Sequence, residues 1–183
     1  GLALGAALGL TGLLLLHFVA GGITFVAVDA VWNVLNSFTL SAIPLFIILG
    51  EIMLRSEISK KIYLALSPLF QNISGGLLHT NIAVCTLFGA VSGSSLSTAA
   101  AVGSVAYPEM TERGYDRQMV VGSLAGGGTL GLLIPPSLSL LIYGALTETS
   151  IGRLFLAGIL PGIILASMFM VYIYLRCRQN PLL

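Results

Sequence analysis

The chain has 183 residues, of which 56% are hydrophobic and only 8% are charged, and its net charge is +1. Its mean hydropathy is +1.00. Soluble domains carry about 25% charged residues, so this sequence has too little charge to cover a soluble surface. The near-neutral balance of charge gives no reason to expect nucleic acid as a partner. The composition therefore predicts an all-α integral membrane protein embedded in a lipid bilayer.

The first half of the chain alternates apolar segments with short polar connections. Residues 2–28 exceed the ~20 residues that cross a bilayer and predict a transmembrane helix. The polar and aromatic residues that follow predict a connection at the membrane surface, and residues 40–55 predict a second transmembrane helix. Residues 58–73 place apolar side chains at helical spacing among polar ones, which predicts an interfacial amphipathic helix. The connection comprises Asp29, Trp32, Asn33 and Asn36.

The N-terminus opens directly into apolar sequence without a preceding basic segment. We therefore expect no cleavable signal peptide. Because Gly1 stands where an initiator Met would stand, we expect the natural N-terminus to lie upstream.

Residues 75–106 consist of two apolar arms on either side of a Ser-Gly-Ser-Ser run, and the positive charges decide their topology. If this segment crosses the membrane once, the eight Lys and Arg residues divide four to four between the two sides. If it is a hairpin that turns back inside the membrane, seven of them share one side and only Arg153 is opposite. Lys and Arg are concentrated in cytoplasmic loops, so the second arrangement is favoured. The sequence predicts a re-entrant helical hairpin that enters from the cytoplasm.

A second interruption lies in the next apolar segment, which predicts a broken transmembrane helix over residues 118–147. Pro135 and Pro136 remove backbone donors and leave upstream carbonyl groups without their usual partners. Backbone that is not helical is tolerated at this depth only where it is buried in protein or lines a cavity. A last transmembrane helix is predicted over residues 153–176.

Two helix breaks near the middle of the membrane are typical of the binding sites of secondary transporters. Carbonyl and hydroxyl oxygens suit Na⁺, while the helix that starts after each break presents N–H groups and a positive dipole end to an anion. Ser95 and Ser137 are predicted to cap these two helices. The candidate residues for sodium and substrate are Ser92, Gly93, Ser94, Ser95, Gly131, Ile134, Pro135, Pro136 and Ser137.

The remaining reactive side chains are expected to have structural roles rather than roles in catalysis or proton coupling. Glu51 lies four residues before Arg55, so we expect a surface ion pair rather than proton coupling. Cys85 and Cys177 are expected to be small buried hydrophobic residues. The sequence contains no recognisable nucleophile–base set, phosphate loop or metal cluster. We therefore expect no enzyme, and no cofactor or metal beyond the coupling sodium ion.

Five ordered motifs resemble the large membrane subunit of tripartite ATP-independent periplasmic (TRAP) transporters, over almost the whole chain from Ala3 to Leu175. The resemblance implies an elevator-type, sodium-coupled permease of the bacterial inner (plasma) membrane that imports carboxylates such as dicarboxylates or sialic acids. It implies a small membrane subunit and a periplasmic substrate-binding protein as partners. Only the family's first inverted repeat is matched, so we expect either that the chain is a fragment or truncated product of a longer protein, or that it pairs with a second repeat as a further partner. The motifs occupy residues 42–47, 88–95, 108–116, 130–137 and 154–162.

Two other functions remain open at this stage. The first is a structural membrane subunit whose Gly-rich faces serve only assembly, which predicts that ions do not affect its stability. The second is a channel-like assembly in which the hairpin forms a selectivity filter, and which requires oligomeric symmetry around a pore.

Overall fold

The computed structural model describes residues 3–37 and 40–180. Within these residues the ordered structure is helical throughout, without strands, so the all-α prediction is confirmed there. The chain divides into two compact units, residues 1–41 and residues 42–183, where the sequence predicted a single membrane domain.

The first unit contains two helices, α1 (Leu4–Phe18) and α2 (Phe25–Leu35). The prediction of one uninterrupted helix over residues 2–28 is therefore wrong, and Leu2 itself lies outside the described residues. Gly21 and Gly22 have φ values of 80° and 84°, in the left-handed region that interrupts a helix and that glycine adopts without steric cost. The residues predicted as a surface connection begin inside α2, because Asp29 and Trp32 belong to that helix.

The second unit is a bundle of seven helices among the residues that the structure describes. A single 3₁₀ turn, Leu130–Leu132, follows α7. The helices are α3 (Ala42–Arg55), α4 (Ile58–Phe70), α5 (Gly76–Ser92), α6 (Ser95–Glu112), α7 (Arg117–Thr129), α8 (Leu138–Leu146) and α9 (Ile151–Gln179). The centre of this bundle is α5, which packs against α3, α4, α6, α7 and α9 and fully buries Leu78, Val84 and Phe88.

One helix runs further than its sequence predicted. The second arm of the hairpin was expected to end at Ala106, but α6 continues through Pro108 to Glu112. An ion pair of 2.8 Å between Glu109 and Arg113, one turn apart, stabilises this extension. The chain then turns at Gly114 and enters α7, whose first turn is capped by the Asp116 carboxylate, which accepts a hydrogen bond from the Met119 N–H.

Helices α5 and α6 form an antiparallel pair, so the start of α5 and the end of α6 lie close together. The backbone N–H of Leu77, at the start of α5, donates to the hydroxyl of Tyr115, which follows α6, at 3.4 Å. The end of α9 is at the same place, since a Cβ atom added at Gly75 would lie 2.7 Å from Cγ2 of Ile173 and 3.3 Å from Sγ of Cys177. We call this end of the second unit, defined by Gly75, Tyr115 and Cys177, the basal end.

Helix α4 joins the bundle through a face that mixes polar and apolar side chains, since Ile62 and Leu66 also pack against the core. Ser59, Tyr63 and Ser67, spaced four residues apart, are buried, while the apolar Leu64 and Leu69 are 51% and 69% exposed. Burial and the nearby carboxylate of Glu109 raise the pKa of Tyr63, which places this side chain close to the end of α6. Helix α4 therefore exposes apolar side chains on the surface of the second unit, and its position at a membrane interface stays a prediction.

Three consecutive glycines allow α7 to pack closely against three other helices. A Cβ atom added at Gly126 would lie 3.4 Å from Phe169 of α9, and one at Gly127 would lie 2.9 Å from Cβ of Cys85 on α5. A Cβ atom at Gly128 would lie 2.9 Å from Cβ of Ala99 on α6. Small residues at helix interfaces permit close backbone approach in membrane proteins, so this run fixes α7 between its three neighbours.

Helix α9 is the only helix in the described part of the chain that is both long and apolar enough to cross a bilayer by itself. Its 29 residues correspond to about 43 Å, more than the ~30 Å of a hydrocarbon core. Only 11% of its most apolar stretch is buried inside the protein. Helices α1, α2 and α5 are apolar but shorter.

Candidate functional site

The first helix break, residues 93–94, separates α5 from α6. Gly93 has φ 60° and ψ 11°, a left-handed conformation that ends α5, and its N–H donates to the Gly89 carbonyl at 2.8 Å. The Ser94 hydroxyl caps α6 by accepting from the Ser97 N–H at 3.4 Å. The prediction that Ser95 is the cap is wrong, because Ser95 is already the first residue of the helix.

A network of hydroxyl groups closes the first break. The Thr98 hydroxyl donates to the Ser94 carbonyl at 2.7 Å, and its oxygen lies 2.7 Å from the Ser92 hydroxyl oxygen. Because the Thr98 proton is used in the first bond, the Ser92 hydroxyl is the donor in the second. Both side chains are buried. The first break thus gathers several hard oxygen atoms within a few ångströms of one another.

The second break, residues 133–137, separates the 3₁₀ turn after α7 from α8. The N–H groups of Leu133 and Ile134 both donate to the Leu130 carbonyl, at 3.0 and 2.9 Å. Pro135 and Pro136, joined by a cis peptide bond, have no N–H to offer to the carbonyl groups four residues earlier, which belong to Gly131 and Leu132.

Ser137 closes the second break and starts α8. Its hydroxyl donates to the Leu132 carbonyl at 2.6 Å and caps the helix by accepting from the Leu140 N–H at 3.5 Å. The side chain is completely buried. Ser137 is therefore the N-cap that the sequence predicted. The Leu132 carbonyl thereby receives a hydroxyl in place of the missing backbone donor.

The structure brings the two breaks into direct contact through glycines. A Cβ atom added at Gly93 would lie 3.0 Å from the backbone nitrogen of Leu138, the first residue of α8. One turn below, Gly89 and Gly131 touch through their backbones, because a Cβ atom at Gly89 would lie 2.6 Å from Cα of Gly131. The starts of α6 and α8 consequently lie close to each other, beside the hydroxyl and carbonyl oxygens of the breaks.

Two further helices enclose this region. Gly50 of α3 faces the first break, since a Cβ atom there would lie 3.3 Å from the Ser92 carbonyl oxygen. Gly158 and Gly162 of α9 face the second break, because added Cβ atoms would lie 2.7 Å from the Leu133 carbonyl oxygen and 2.5 Å from Cγ1 of Ile134. The two breaks therefore lie inside protein on these sides.

The nine predicted site residues thus fall in or next to the two breaks, which adjoin each other. Sequence reasoning missed Thr98, although it follows the Ser94 cap by one helical turn and so shares its face of α6. It also missed Gly50 and Gly89, which only the packing identifies. No group of three or more His, Cys, Asp or Glu residues able to hold a metal ion occurs among the described residues. Any cation at the breaks would therefore be held by hydroxyl and carbonyl oxygens.

The family model described as "Tripartite ATP-independent periplasmic transporter, DctM component" matches residues 1–183. The chain belongs to this family. TRAP large permeases are membrane transport proteins, and the resemblance indicated by the five sequence motifs is confirmed.

Several TRAP large permeases are similar to this chain over most of its length. It is 39% identical over 176 residues to the C4-dicarboxylate TRAP transporter large permease protein DctM of Pseudomonas aeruginosa. The aligned region covers 96% of this chain and 41% of that protein. It is 40% identical over 145 residues to the ectoine TRAP transporter large permease protein TeaC of Halomonas elongata. This aligned region covers 78% of this chain and 34% of that protein. Identity to the sialic acid TRAP transporter large permease protein SiaM of Vibrio cholerae is 36% over 159 residues, 87% of this chain and 37% of that protein. The chain spans about two fifths of the length of the relative from Pseudomonas aeruginosa.

Two predictions outside the breaks are also settled by the structure. Arg55 Nε lies 2.6 Å from Oε1 of Glu51 in an exposed ion pair, as expected. Cys85 and Cys177 are both free and buried, which agrees with their interpretation as small hydrophobic residues.

Proposed function

We propose that this chain forms the first inverted repeat of a sodium-coupled, elevator-type TRAP permease that imports small organic anions. In this proposal, residues 75–112 form a hairpin that re-enters the membrane from the cytoplasm, and residues 117–146 form a broken transmembrane helix. The two breaks hold a sodium ion and contribute to the site for a carboxylate substrate, such as a dicarboxylate or a sialic acid. The protein lies in the bacterial inner membrane and crosses it several times.

The observation that supports this proposal most directly is the contact between the two breaks at Gly93 and Leu138. Two helices, α6 and α8, begin there, and each presents the partial positive charge of its N-terminus to the same region. Hydroxyl groups of Ser92 and Thr98 and the carbonyl group of Gly131 lie in or beside these breaks and are oxygen ligands of the kind that hard cations prefer. Cation ligands and anion-binding helix ends therefore occur side by side, as a sodium–carboxylate symporter requires.

Helix α9 supports a position inside the bilayer for the second break. Gly158 and Gly162 contact Leu133 and Ile134. Gly158 lies about 10 Å from the start of α9, and Gly162 lies about 26 Å from its end. If α9 spans the ~30 Å hydrocarbon core, the second break lies within that core. Irregular backbone at this depth needs protein or a cavity around it, which α3, α5 and α9 supply in part.

The arrangement of the basal end supports the re-entrant topology. The start of α5, the residues after α6 and the end of α9 meet there. Tyr63 on α4 also lies within the electrostatic influence of Glu109 and Arg113. Six of the eight Lys and Arg residues of the second unit lie on α4, at the junction of α6 and α7 or at the end of α9, so the basal end is the cytoplasmic end in this proposal.

Three partners belong to the proposed assembly. A small membrane subunit and a periplasmic substrate-binding protein complete the transporter, and a second repeat supplies another hairpin and another broken helix. Transporters built from inverted repeats place their substrate at the interface between the repeats. No charged residue lies in either break, so the second repeat and the binding protein select the substrate in this proposal.

The proposed sodium site can be tested by measuring the melting temperature of the purified chain in detergent. NaCl is titrated against equal concentrations of choline chloride, so that ionic strength is matched. A ligand stabilises the state that it binds, and a concentration 100 times Kd contributes about 2.7 kcal/mol. We expect NaCl alone to raise the melting temperature. The same titration with the second repeat co-expressed distinguishes a site that needs both halves from no site at all.

Variants at the breaks connect any sodium effect to the proposed ligands. Ser94→Ala and Pro136→Ala should weaken the sodium-dependent rise, whereas Ser104→Ala should preserve it. Ser104 is a suitable control because its hydroxyl donates to the Ala101 carbonyl within α6, more than two turns from the first break. An equal sodium effect in all three variants would contradict the site assignment.

Topology can be tested separately by labelling single cysteines with an impermeant reagent in a Cys85→Ala, Cys177→Ala background. Lys61→Cys and Arg113→Cys lie before and after the proposed hairpin. We expect both to be labelled only from the cytoplasmic face. Labelling from opposite faces would show that residues 75–112 cross the membrane and would refute the hairpin.

A further inference from the structure

A groove of about 660 Å³ runs between α7 and α9, away from the two breaks. Its α7 wall contains Met119 and Gly122, and its α9 wall contains Leu165, Phe169 and Ile173. None of the nine candidate site residues lines it. The groove therefore needs an explanation separate from the sodium and substrate site.

One end of the groove carries two opposite charges. Asp116, which caps the start of α7, lines one side, and Arg176, in the last turn of α9, lines the other. These two side chains do not form an ion pair with each other among the interactions of the described residues. One carboxylate oxygen of Asp116 accepts the Met119 N–H at 2.9 Å, which leaves its second oxygen for another partner.

One wall of this groove is suited to contact with lipid. Its α9 wall belongs to the one helix whose length and composition allow it to cross a membrane by itself in the described part of the chain. Met168 and Tyr172 on this wall are 61% and 56% exposed. An open apolar groove on a membrane-embedded surface is filled by acyl chains, because lipid is the solvent there. The chemistry at its polar end then determines which lipid binds best.

We propose that the groove is a binding site for a phospholipid with a phosphoethanolamine headgroup. The Arg176 guanidinium binds the phosphate, the primary ammonium donates a hydrogen bond to the Asp116 carboxylate, and the acyl chains lie along Met119, Leu165 and Phe169. A phosphatidylglycerol headgroup offers only negative charge, which Asp116 repels. A phosphatidylcholine headgroup has a quaternary ammonium that cannot donate a hydrogen bond. The inference requires that the chain lies in a membrane, and it is independent of sodium coupling.

The test is native mass spectrometry of the full chain in micelles that contain equal amounts of the three lipids. We expect phosphatidylethanolamine to be retained about tenfold more than either competitor, since one charge-assisted hydrogen bond is lost with each of them. Asp116→Asn removes the charge but keeps a residue that caps helices well, so it should shift the preference towards phosphatidylglycerol. Arg176→Gln should lower the retention of both phosphatidylethanolamine and phosphatidylglycerol.

Two further variants test the groove itself. A Cβ atom at Gly122 meets nothing within 4 Å, so the side chain of Gly122→Leu should extend into the groove and displace the lipid. Arg178→Gln is the control, because Arg178 donates to the Tyr174 hydroxyl and does not line the groove. Lipid retention that is the same in the Asp116, Arg176 and Arg178 variants overturns the proposal. The proposal is also overturned if the Gly122→Leu protein keeps its lipid but no longer co-purifies with a small membrane subunit. That result would identify a protein helix as the occupant of the groove.

Discussion

The two breaks in the second unit end in the same way but begin differently. Each ends at a serine, Ser94 or Ser137, whose hydroxyl caps the next helix. The first begins with a change of conformation, because Gly93 adopts a left-handed φ. The second begins with a loss of donors, because Pro135 and Pro136 have no N–H.

This difference determines which oxygen atoms each break can offer. At the first break a glycine turns the chain, and hydroxyl groups of Ser92 and Thr98 bind to each other and to the Ser94 carbonyl. At the second break, the Leu132 carbonyl accepts a hydrogen bond from the Ser137 hydroxyl. Pro135 has no N–H and so cannot donate a hydrogen bond to the Gly131 carbonyl. We therefore expect the first break to supply mainly hydroxyl ligands and the second mainly carbonyl ligands. The following predictions test how far the two breaks depend on each other.

The largest effect is expected for Gly89→Val, which tests the contact between the breaks. Its Cβ atom would lie 2.6 Å from Cα of Gly131, a backbone atom that cannot move aside without shifting the second break. We expect a loss of about 3 kcal/mol in the free energy of unfolding in detergent. Gly103→Val is the matched control for helix propensity, because a Cβ atom at this position inside α6 would make only an ordinary contact of 3.6 Å with Cδ1 of Leu124. Equal losses in the two variants would show that the breaks do not meet at these glycines.

Ser137→Ala should have the next largest effect, since it removes both hydrogen bonds of a fully buried hydroxyl. The Leu132 carbonyl would lose its donor and α8 would lose its cap. We expect a loss of about 2 kcal/mol in the free energy of unfolding. Ser139→Ala, at an exposed position of the same helix, should change little. If Ser139→Ala costs as much, the second break does not depend on its terminal serine.

Thr98→Val tests the hydroxyl network of the first break with a side chain of nearly the same shape. It removes the bond to the Ser94 carbonyl and leaves the Ser92 hydroxyl without its short contact. The expected loss is about 1 kcal/mol in the free energy of unfolding. Thr98→Ser keeps the hydroxyl and should recover most of the network. A serine variant that is no more stable than the valine variant would indicate that packing, and not the hydroxyl, is important here.

The smallest effect is expected at the cap of α6. The bond from the Ser97 N–H to the Ser94 hydroxyl is long, at 3.4 Å, so Ser94→Ala should cost about 0.5 kcal/mol in the free energy of unfolding. Ser95→Ala is the control, because Ser95 lies inside the helix. If Ser95→Ala is the more destabilising of the two, the helix starts one residue later than the structure shows, as the sequence suggested.

The positions of the two breaks could be predicted from the sequence because each has local chemistry that ends a helix. A Ser-Gly-Ser-Ser run offers a left-handed glycine and a choice of caps, and a proline pair removes donors. The prediction chose Ser95 instead of Ser94 as the cap, because the two serines are equally suitable in composition and nothing local separates them. The break at Gly21 and Gly22 was visible in the sequence but was misread, because hydrophobicity alone suggested a continuous span.

The contacts through which the two breaks meet could not be predicted from the sequence. The chain has 22 glycines, and nothing local pairs Gly89 with Gly131, which lie 42 residues apart. The same limit applies to Gly50, whose role depends on the approach of α3 to the Ser92 carbonyl. Thr98 is different, because the spacing of four residues from Ser94 places the two on one face of a helix. A closer use of helical periodicity would have included it.

The backbone contact between Gly89 and Gly131 has a consequence for motion. Because no side chains lie between α5 and the turn after α7 at this point, no flexible layer separates them that could absorb a displacement. One helical turn further along α5, Gly93 contacts Leu138 at the start of α8. Closely packed interfaces change between discrete arrangements and do not deform gradually. We therefore expect any displacement to move the two breaks together as one body, so that an ion bound between them would keep its ligands.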